Sequence, residues 1–314
     1  MPNERKTLGP ERSDPRRAAK TLEGLWQQAG VELRIRTGTI VAVTTQPFAE
    51  RVSAALARLS GRHAGRQILA VIAPDGDLEM DVSLLPQKNR YVERFDLRGT
   101  PRQLQGTILP LLSGPLTHVW WACDDPPRGP LFDALAELAD QVIADALTLE
   151  MRPDRRFALA DLSWAHTAPW RELTATLFDA PDAARELGNL EGATVEYADG
   201  KRGPLAARLY AGWLASRLGW KDASRIKIRA AKHPTRPHGE IVAVNLRSED
   251  ARFRIEALEG HCATASAELP GTPARSQTVI LNAWDLPELL GYVMDAPEQN
   301  RIFEEALSVA RRQA

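Results

Sequence analysis

Only two cysteines, Cys123 and Cys262, occur among 314 residues, so a disulfide framework and a cysteine-built metal cluster are both excluded by count. Such sparing use suits a reducing compartment. No apolar run approaches the roughly 20 residues that a membrane-spanning helix needs. The first 20 residues hold Arg5, Lys6, Arg12, Arg16, Arg17 and Lys20, but no apolar stretch follows as in a secretory signal. They read as a flexible basic tail, residues 1–20. A formal net charge of only -1 removes any overall electrostatic pull toward nucleic acid or anionic lipid.

Glycine-rich phosphate loops are missing as well. After the first expected strand comes Thr44-Thr-Gln-Pro-Phe48, in which Pro47 has no N–H to offer and Phe48 blocks close backbone approach. Nucleotide binding in the usual manner is not expected. The histidines, His63, His118, His166, His233, His238 and His261, are scattered, with no pair at the i, i+4 spacing of a helical zinc site. His233 and His238 flank Pro234-Thr-Arg-Pro237 and belong to a loop. Adjacent His261 and Cys262 would point to opposite faces of a strand and make no base–nucleophile pair. Asp124-Asp125 follows a strand's carboxyl end, where doubly wound sheets bind ligands, but turns rich in Asp and Pro are the commoner reason for such residues. No residue is assigned a catalytic, cofactor-binding or metal-binding role.

What remains, 44% apolar and 26% charged, is the composition of a soluble globular protein, here long enough for two domains and expected to be cytoplasmic. From Thr39 short β-branched runs alternate with helical spacing. Strands are expected at 39–45, 67–73, more weakly 90–95, then 116–123 and 141–147. Helices are expected at 48–59, from Thr100-Pro101 toward Leu112, and at 130–138. Near-continuous apolar strands alternating with helices predict a mostly parallel sheet covered on both faces, a Rossmann-like α/β domain over 21–150. Residues 151–314 change character. Arg225–Arg229, Ile241–Leu246, Arg252–Glu256, Thr264–Leu269 and Thr278–Leu281 read as an antiparallel meander, and Leu286–Ala310 returns to helical spacing, so an α+β domain is expected.

Two tryptophan-bearing blocks stand inside that second half. In Asp161-Leu-Ser-Trp-Ala-His-Thr-Ala-Pro-Trp-Arg-Glu-Leu173, Pro169 suits a first helical turn with Thr167 as its cap, and Trp170, Leu173, Leu177 and Phe178 make one apolar stripe. In Ala211-Gly-Trp-Leu-Ala-Ser-Arg-Leu-Gly-Trp220, Leu205, Leu209, Gly212, Trp213 and Leu218 supply a buried face. Gly212 there permits close approach of another backbone, and Gly219 ends the helix. The four indoles suit either core between domains or anchors for another protein, since Trp and Arg are enriched at interface hot spots.

The same blocks, with Arg62-His-x-x-Arg66, Leu109-Pro-Leu-Leu112 and Val119-Trp-Trp121, resemble collinearly, over about residues 22 to 300, the OpcA proteins, bacterial glucose-6-phosphate dehydrogenase assembly factors. The resemblance implies an N-terminal α/β domain, a C-terminal domain, and a non-catalytic partner that promotes the active oligomer of glucose-6-phosphate dehydrogenase in the oxidative pentose phosphate pathway. It implies no cofactor of the chain's own, NADP belonging to the enzyme. The family's usual Arg-His-Pro-Ser-Arg stands here as Arg62-His-Ala-Gly-Arg66, and its cysteine near Phe95–Gly99 is absent. Cys123 and Cys262 are isolated in sequence, which puts thiol switching in doubt.

The expected contact residues are Trp164, His166, Trp170, Arg171 and Glu172, then Trp213, Arg217 and Trp220, then Arg225, Lys227 and Arg229. The indoles would be anchors and the arginines pairing groups. A rival reading is a sugar-phosphate-binding protein or enzyme using the N-terminal sheet, with Arg62, His63 and Arg66 gripping phosphate. Nucleic-acid binding through the basic 221–254 stretch lacks interleaved aromatics, and a solvated strand face explains that stretch.

Overall fold

Apolar runs become the inner strands of two sheets. The structure, a computed structural model, describes residues 6–31, 34, 37–59, 63, 65–87, 90–150, 155–200, 203–221, 223–281, 284–296 and 298–312. Two units emerge, 1–162 with 285–299, and 163–284 with 300–314. In chain order come β1 (Leu8–Arg12), α1 (Ala18–Ala29), β2 (Thr39–Thr45), α2 (Ala49–Arg58), β3 (Arg66–Ile72), β4 (Glu79–Gln87), β5 (Arg90–Gly99) and α3 (Pro101–Ile108). Next are β6 (Thr117–Trp121), α4 (Pro130–Leu138), β7 (Gln141–Ile143), β8 (Ala158–Ala160), α5 (Leu162–His166), α6 (Ala168–Thr176), α7 (Pro181–Glu186) and β9 (Gly192–Ala198). Last are α8 (Leu205–Arg217), β10 (Ile226–Ala231), β11 (Ile241–Arg247), β12 (Arg252–Ala257), β13 (Cys262–Glu268), β14 (Arg275–Ile280), α9 (Leu286–Met294) and α10 (Arg301–Arg311).

The first unit holds one eight-stranded sheet, ordered β1-β4-β5-β3-β2-β6-β7-β8. From β5 to β8 all six strands are parallel. Counted among themselves, they follow the 3-2-1-4-5-6 order of doubly wound dinucleotide-binding sheets. Ile40, Val41, Ala42 and Val43 are wholly inaccessible, as buried parallel strands require. Pro47 opens α2 through a short 3-10 turn, and Val52, Ala55 and Leu56 face inward. Thr100 and Gln103 close a capping box at the start of α3.

Several elements differ from the sequence reading. Within the basic tail Leu8–Arg12 is not free, because β1 pairs antiparallel with β4 and Arg12 reaches Glu79 and Asp81; residues 1–5 lie outside the described residues. The helix α1 buries Leu22, Leu25 and Trp26 at helical spacing and was not expected. The weak strand at 90–95 is a ten-residue strand, stabilised because β4 and β3 flank it on either side. Strand β7 stops at Ile143, and the chain turns there. Asp161 accepts the Ala146 N–H at 2.8 Å and Asp145 that of Leu147 at 2.9 Å, which supplies polar partners in place of a ladder. Strand β8, beyond residue 150, then extends the same sheet alongside β7. From the far end of the chain α9 belongs to this unit as well, with Gln141 donating to the Val293 carbonyl at 2.9 Å.

The second unit holds a six-stranded sheet, β10-β9-β11-β12-β13-β14. Strands β11 to β14 form the antiparallel run expected from the pattern. Strand β10 does not join it as a meander strand. It pairs parallel with β9, and α8 makes the crossover that a parallel pair needs. Helix α8 is buried nearly all round, Leu209, Tyr210, Ala211 and Ala215 being fully inaccessible, which is how a helix apolar on every side behaves. Gly219 takes a left-handed φ of 66° and the Trp220 N–H returns to the Ala215 carbonyl at 2.9 Å, ending the helix as expected. At Gly212 the backbone of α10 comes so near that an added Cβ would sit 2.2 Å from the Ala306 carbonyl oxygen.

Candidate partner-docking surface

In a parallel sheet of this order a ligand would lie at the carboxyl ends of β2 and β6, where strand order reverses. The two strands stay paired up to that position. The Thr44 hydroxyl donates to the Ala122 carbonyl at 2.9 Å, and the Ala122 N–H donates to the Val43 carbonyl at 2.8 Å. Trp121 turns inward against Phe132, ring centroids 5.3 Å apart, and its indole N–H donates to the Asp125 carbonyl at 3.0 Å. Asp124 and Asp125 thus lie on a turn held by the Trp121 indole. Beside them the Cys123 thiol is pushed up to about 12, first by burial and then by the charges of Asp125 and Asp124. It is a protonated thiol at neutral pH. Among the described residues no group of three or more His, Cys, Asp or Glu could hold a metal ion.

Of the rival phosphate grip, the two described members are engaged elsewhere. Arg66 stands at the amino end of β3, away from the ligand edge, where it pairs with Glu93, itself 2% exposed, and donates to the Leu111 carbonyl. Trp26 also donates to Glu93, at 3.0 Å. His63 faces Asp295 at 3.2 Å, and Arg62 lies outside the described residues. The guanidinium is used to neutralise a buried carboxylate, so it is not available to a phosphate.

In the second unit the expected contact residues separate into two sets. Trp164 and Trp170 are 6% and 3% exposed, too deep to serve as partner anchors. Trp164 rests on Phe303 at 5.3 Å between centroids, and the Arg171 guanidinium lies 3.7 Å from its ring centroid. Trp170 joins Leu173, Tyr210 and Leu214 in the core. Thr167 sits at the cap position without capping. Residues 162–166 are already helical, so its hydroxyl donates back to the Trp164 carbonyl and accepts from Arg171. His166 lies 3.3 Å from Glu240. Glu172 is exposed and Arg171 half-buried. Trp213, half-buried, packs on Tyr210 at 5.3 Å, and Arg217 pairs with Glu305.

Around the start of β10 the picture is different. Arg225, Lys227 and Arg229 are exposed, and none forms an ion pair with another described residue. Half-buried Trp220 lies beneath Arg225, whose guanidinium is 5.5 Å from its ring. A fourth cation, Arg247, was missed in the sequence although its period-two position on β11 marks it as outward. It stands directly opposite Arg252, and both are exposed. Like charges placed opposite each other cost stability, so this face concentrates positive charge without internal compensation for all of it. Arg254 is held by Glu256 at 2.8 Å and Asn245 at 2.8 Å, while Glu196 of β9 stands opposite Arg229 and Glu268 of β13 opposite Arg252.

With this geometry in place, the comparisons with known proteins bear on it. Residues 56–162 match the model of the glucose-6-phosphate dehydrogenase subunit N-terminal domain, and residues 157–307 that of the corresponding C-terminal domain. The OxPP cycle protein OpcA of Nostoc punctiforme is 34% identical over 160 residues, 46% of this chain and 34% of that one. That of Synechococcus elongatus is 34% identical over 182 residues, 54% of this chain and 39% of that one. The chain therefore spans little more than a third of the curated relatives it matches. Of solved structures, the aldose–aldose oxidoreductase of Caulobacter crescentus is similar at a TM-score of 0.46 and 9% identity, over 88% of this chain and 96% of that one.

Proposed function

The chain belongs to the OpcA family of glucose-6-phosphate dehydrogenase subunits, and from that premise we propose that it is a non-catalytic assembly factor and allosteric activator of that dehydrogenase. It works in the cytoplasm, in the oxidative pentose phosphate pathway, and carries no cofactor of its own; NADP belongs to the enzyme. The observation that carries the reading is the pair of domain matches, which together span 56–307. The turn after β2, Gln46-Pro47-Phe48, supports its non-catalytic half, since it lacks the glycine-rich backbone on which a dinucleotide's phosphates would lie. No helix among the described residues is long and apolar enough to cross a membrane.

Activation of this kind is a difference in binding free energy between two states of the enzyme, typically about 1–3 kcal/mol of coupling. The chain binds one conformation or oligomer better and so raises its share. The docking surface is this basic face, with Arg225, Lys227, Arg229 and Arg247 drawing an acidic patch of the enzyme and Trp220 giving flat apolar area beside them. Pull-down with the dehydrogenase and its substrate saturation curve test the reading together. Complex formation with a left-shifted curve is expected; no complex and an unchanged curve would end it. Reversing the charge of Arg225, Lys227 and Arg229 together should weaken the complex and flatten its salt dependence.

A further inference from the structure

Sheet edges are places where a second chain can add, and natural proteins guard them. Of the four edges here, three carry a guard. Strand β1 has Pro10, Glu11 and Arg12; β8 is three residues long and buried; β10 bears Lys227 and Arg229. Strand β14 has none. It reads Arg-Ser-Gln-Thr-Val-Ile over 275–280, all exposed but Val279, and its one charge is taken up by Asp182, 2.6 Å from Arg275. Its outward side also ends in apolar surface. Cys262 pairs across the strands with Ile280, which is 77% exposed, and the N–H of Leu258, itself 38% exposed, bonds to the Cys262 carbonyl. Two of the six exposed large hydrophobics among the described residues fall in this one row, at the bare edge.

We propose that β14 is the pairing edge of a homodimer, in which two copies join their six-stranded sheets antiparallel about a two-fold axis at Thr278. The occupant is argued from self-complementarity. That axis sets Thr278 against Thr278, Gln277 against Val279, Ser276 against Ile280 and Arg275 against Leu281, so no charge meets its like. The free N–H and C=O groups of one antiparallel edge are met by those of the other, and the alternation already running through β11 to β14 continues unbroken. The unguarded strand is then covered, and Ile280 is withdrawn from water.

Sedimentation velocity of the full chain alone, from micromolar to near-millimolar concentration, reads the outcome. A concentration-dependent dimer is expected, and Ile280→Lys and Thr278→Pro should each raise its dissociation constant about tenfold or more. Ala230→Lys, on the opposite edge of the same sheet, should leave it unchanged. Ile280 is solvent-exposed in the single chain, so its variant decides the matter if Thr278→Pro fails to fold. A wild type that stays monomeric throughout overturns the proposal, as does a dimer that survives Ile280→Lys or is lost in Ala230→Lys. So does protection of the β14 amides from hydrogen exchange only when the dehydrogenase is added, which would make the edge a site for the enzyme's own strand. Sedimentation omits the enzyme, so its failure leaves the activator reading untouched, and protection that needs the enzyme would sink only the homodimer.

Discussion

Replacing Gly212 by alanine puts the packing of the second unit to a quantitative test. In an exposed helix this change would stabilise by about 1 kcal/mol through backbone entropy. Here the new Cβ would stand 2.2 Å from the Ala306 carbonyl oxygen and 3.0 Å from both the Cβ and the amide nitrogen of Ala310. Neither neighbour is the end of a flexible side chain. The backbone of α10 must retreat by about 1 Å, and a gap of that size forfeits a quarter to a half of the dispersion well along the contact. Overpacking of this kind costs about 1–3 kcal/mol beyond what propensity returns. At about 2–4 °C per kcal/mol, the melting temperature should fall by about 2–12 °C. Gly24→Ala is the matched comparison, since Gly24 lies inside α1 with no atom within 4 Å of an added Cβ. Calorimetry of the two variants beside wild type should move them in opposite directions. A Gly212→Ala protein as stable as wild type would refute the reasoning about that crossing.

Three further outcomes follow. Arg66→Ala removes the guanidinium partner of the buried Glu93 carboxylate and should cost about 3–5 kcal/mol in urea denaturation, as breaking a buried ion pair does. His118, 1% exposed and hydrogen-bonded to Gln141 at 3.0 Å, has its pKa lowered, by burial first and against the Gln141 bond and Asp140 charge. The unfolded chain therefore binds that proton more readily, so its effect on stability is absent above about pH 6.5. Stability is lost as pH falls below that value toward the folded pKa, by up to about 1.4 kcal/mol per unit. His118→Asn should lose that part of the slope in melting curves between mildly alkaline and mildly acid buffers. The raised Cys123 thiol, pushed up to about 12, should be alkylated about a thousandfold more slowly in the native protein than in the unfolded one, read by mass spectrometry of trapped peptides.

How much of this was legible in the residues depended on which forces set each element. Strands β2, β3 and β6 are apolar at nearly every position, and helix α2 begins behind Pro47; local pattern alone specifies these. Strand β12 alternates strictly because one face is solvated, and its register was equally plain. Strands β1 and β9 hold Pro, Gly or short polar residues and become strands because a neighbour's edge is there to pair with, which no local window reveals. The break in the final helical stretch had a readable sign that was passed over. Asp285 and Glu288 form a capping box, and Asn300 caps α10 by accepting the Phe303 N–H.

The candidate site divides along the same line. An exposed basic face can be read from alternate positions of a strand, and Arg225, Lys227 and Arg229 do lie outward. The fate of an indole cannot, because core and interface make the same demand on composition. Trp164 is covered in part by Phe303, which is distant in sequence and folds back onto it. The want of a glycine-rich turn after β2 was readable directly, as Gln46-Pro47-Phe48.

The most direct test of the central claim is the glucose-6-phosphate saturation curve of the dehydrogenase, recorded at fixed enzyme with increasing amounts of this chain, and beside it an assay of the chain alone. The account predicts that the curve moves to lower substrate concentration and saturates at a fixed ratio of the two proteins, while the chain alone turns nothing over. A curve that stays where it was, or turnover of a sugar phosphate or nicotinamide cofactor by the chain unaided, would contradict it.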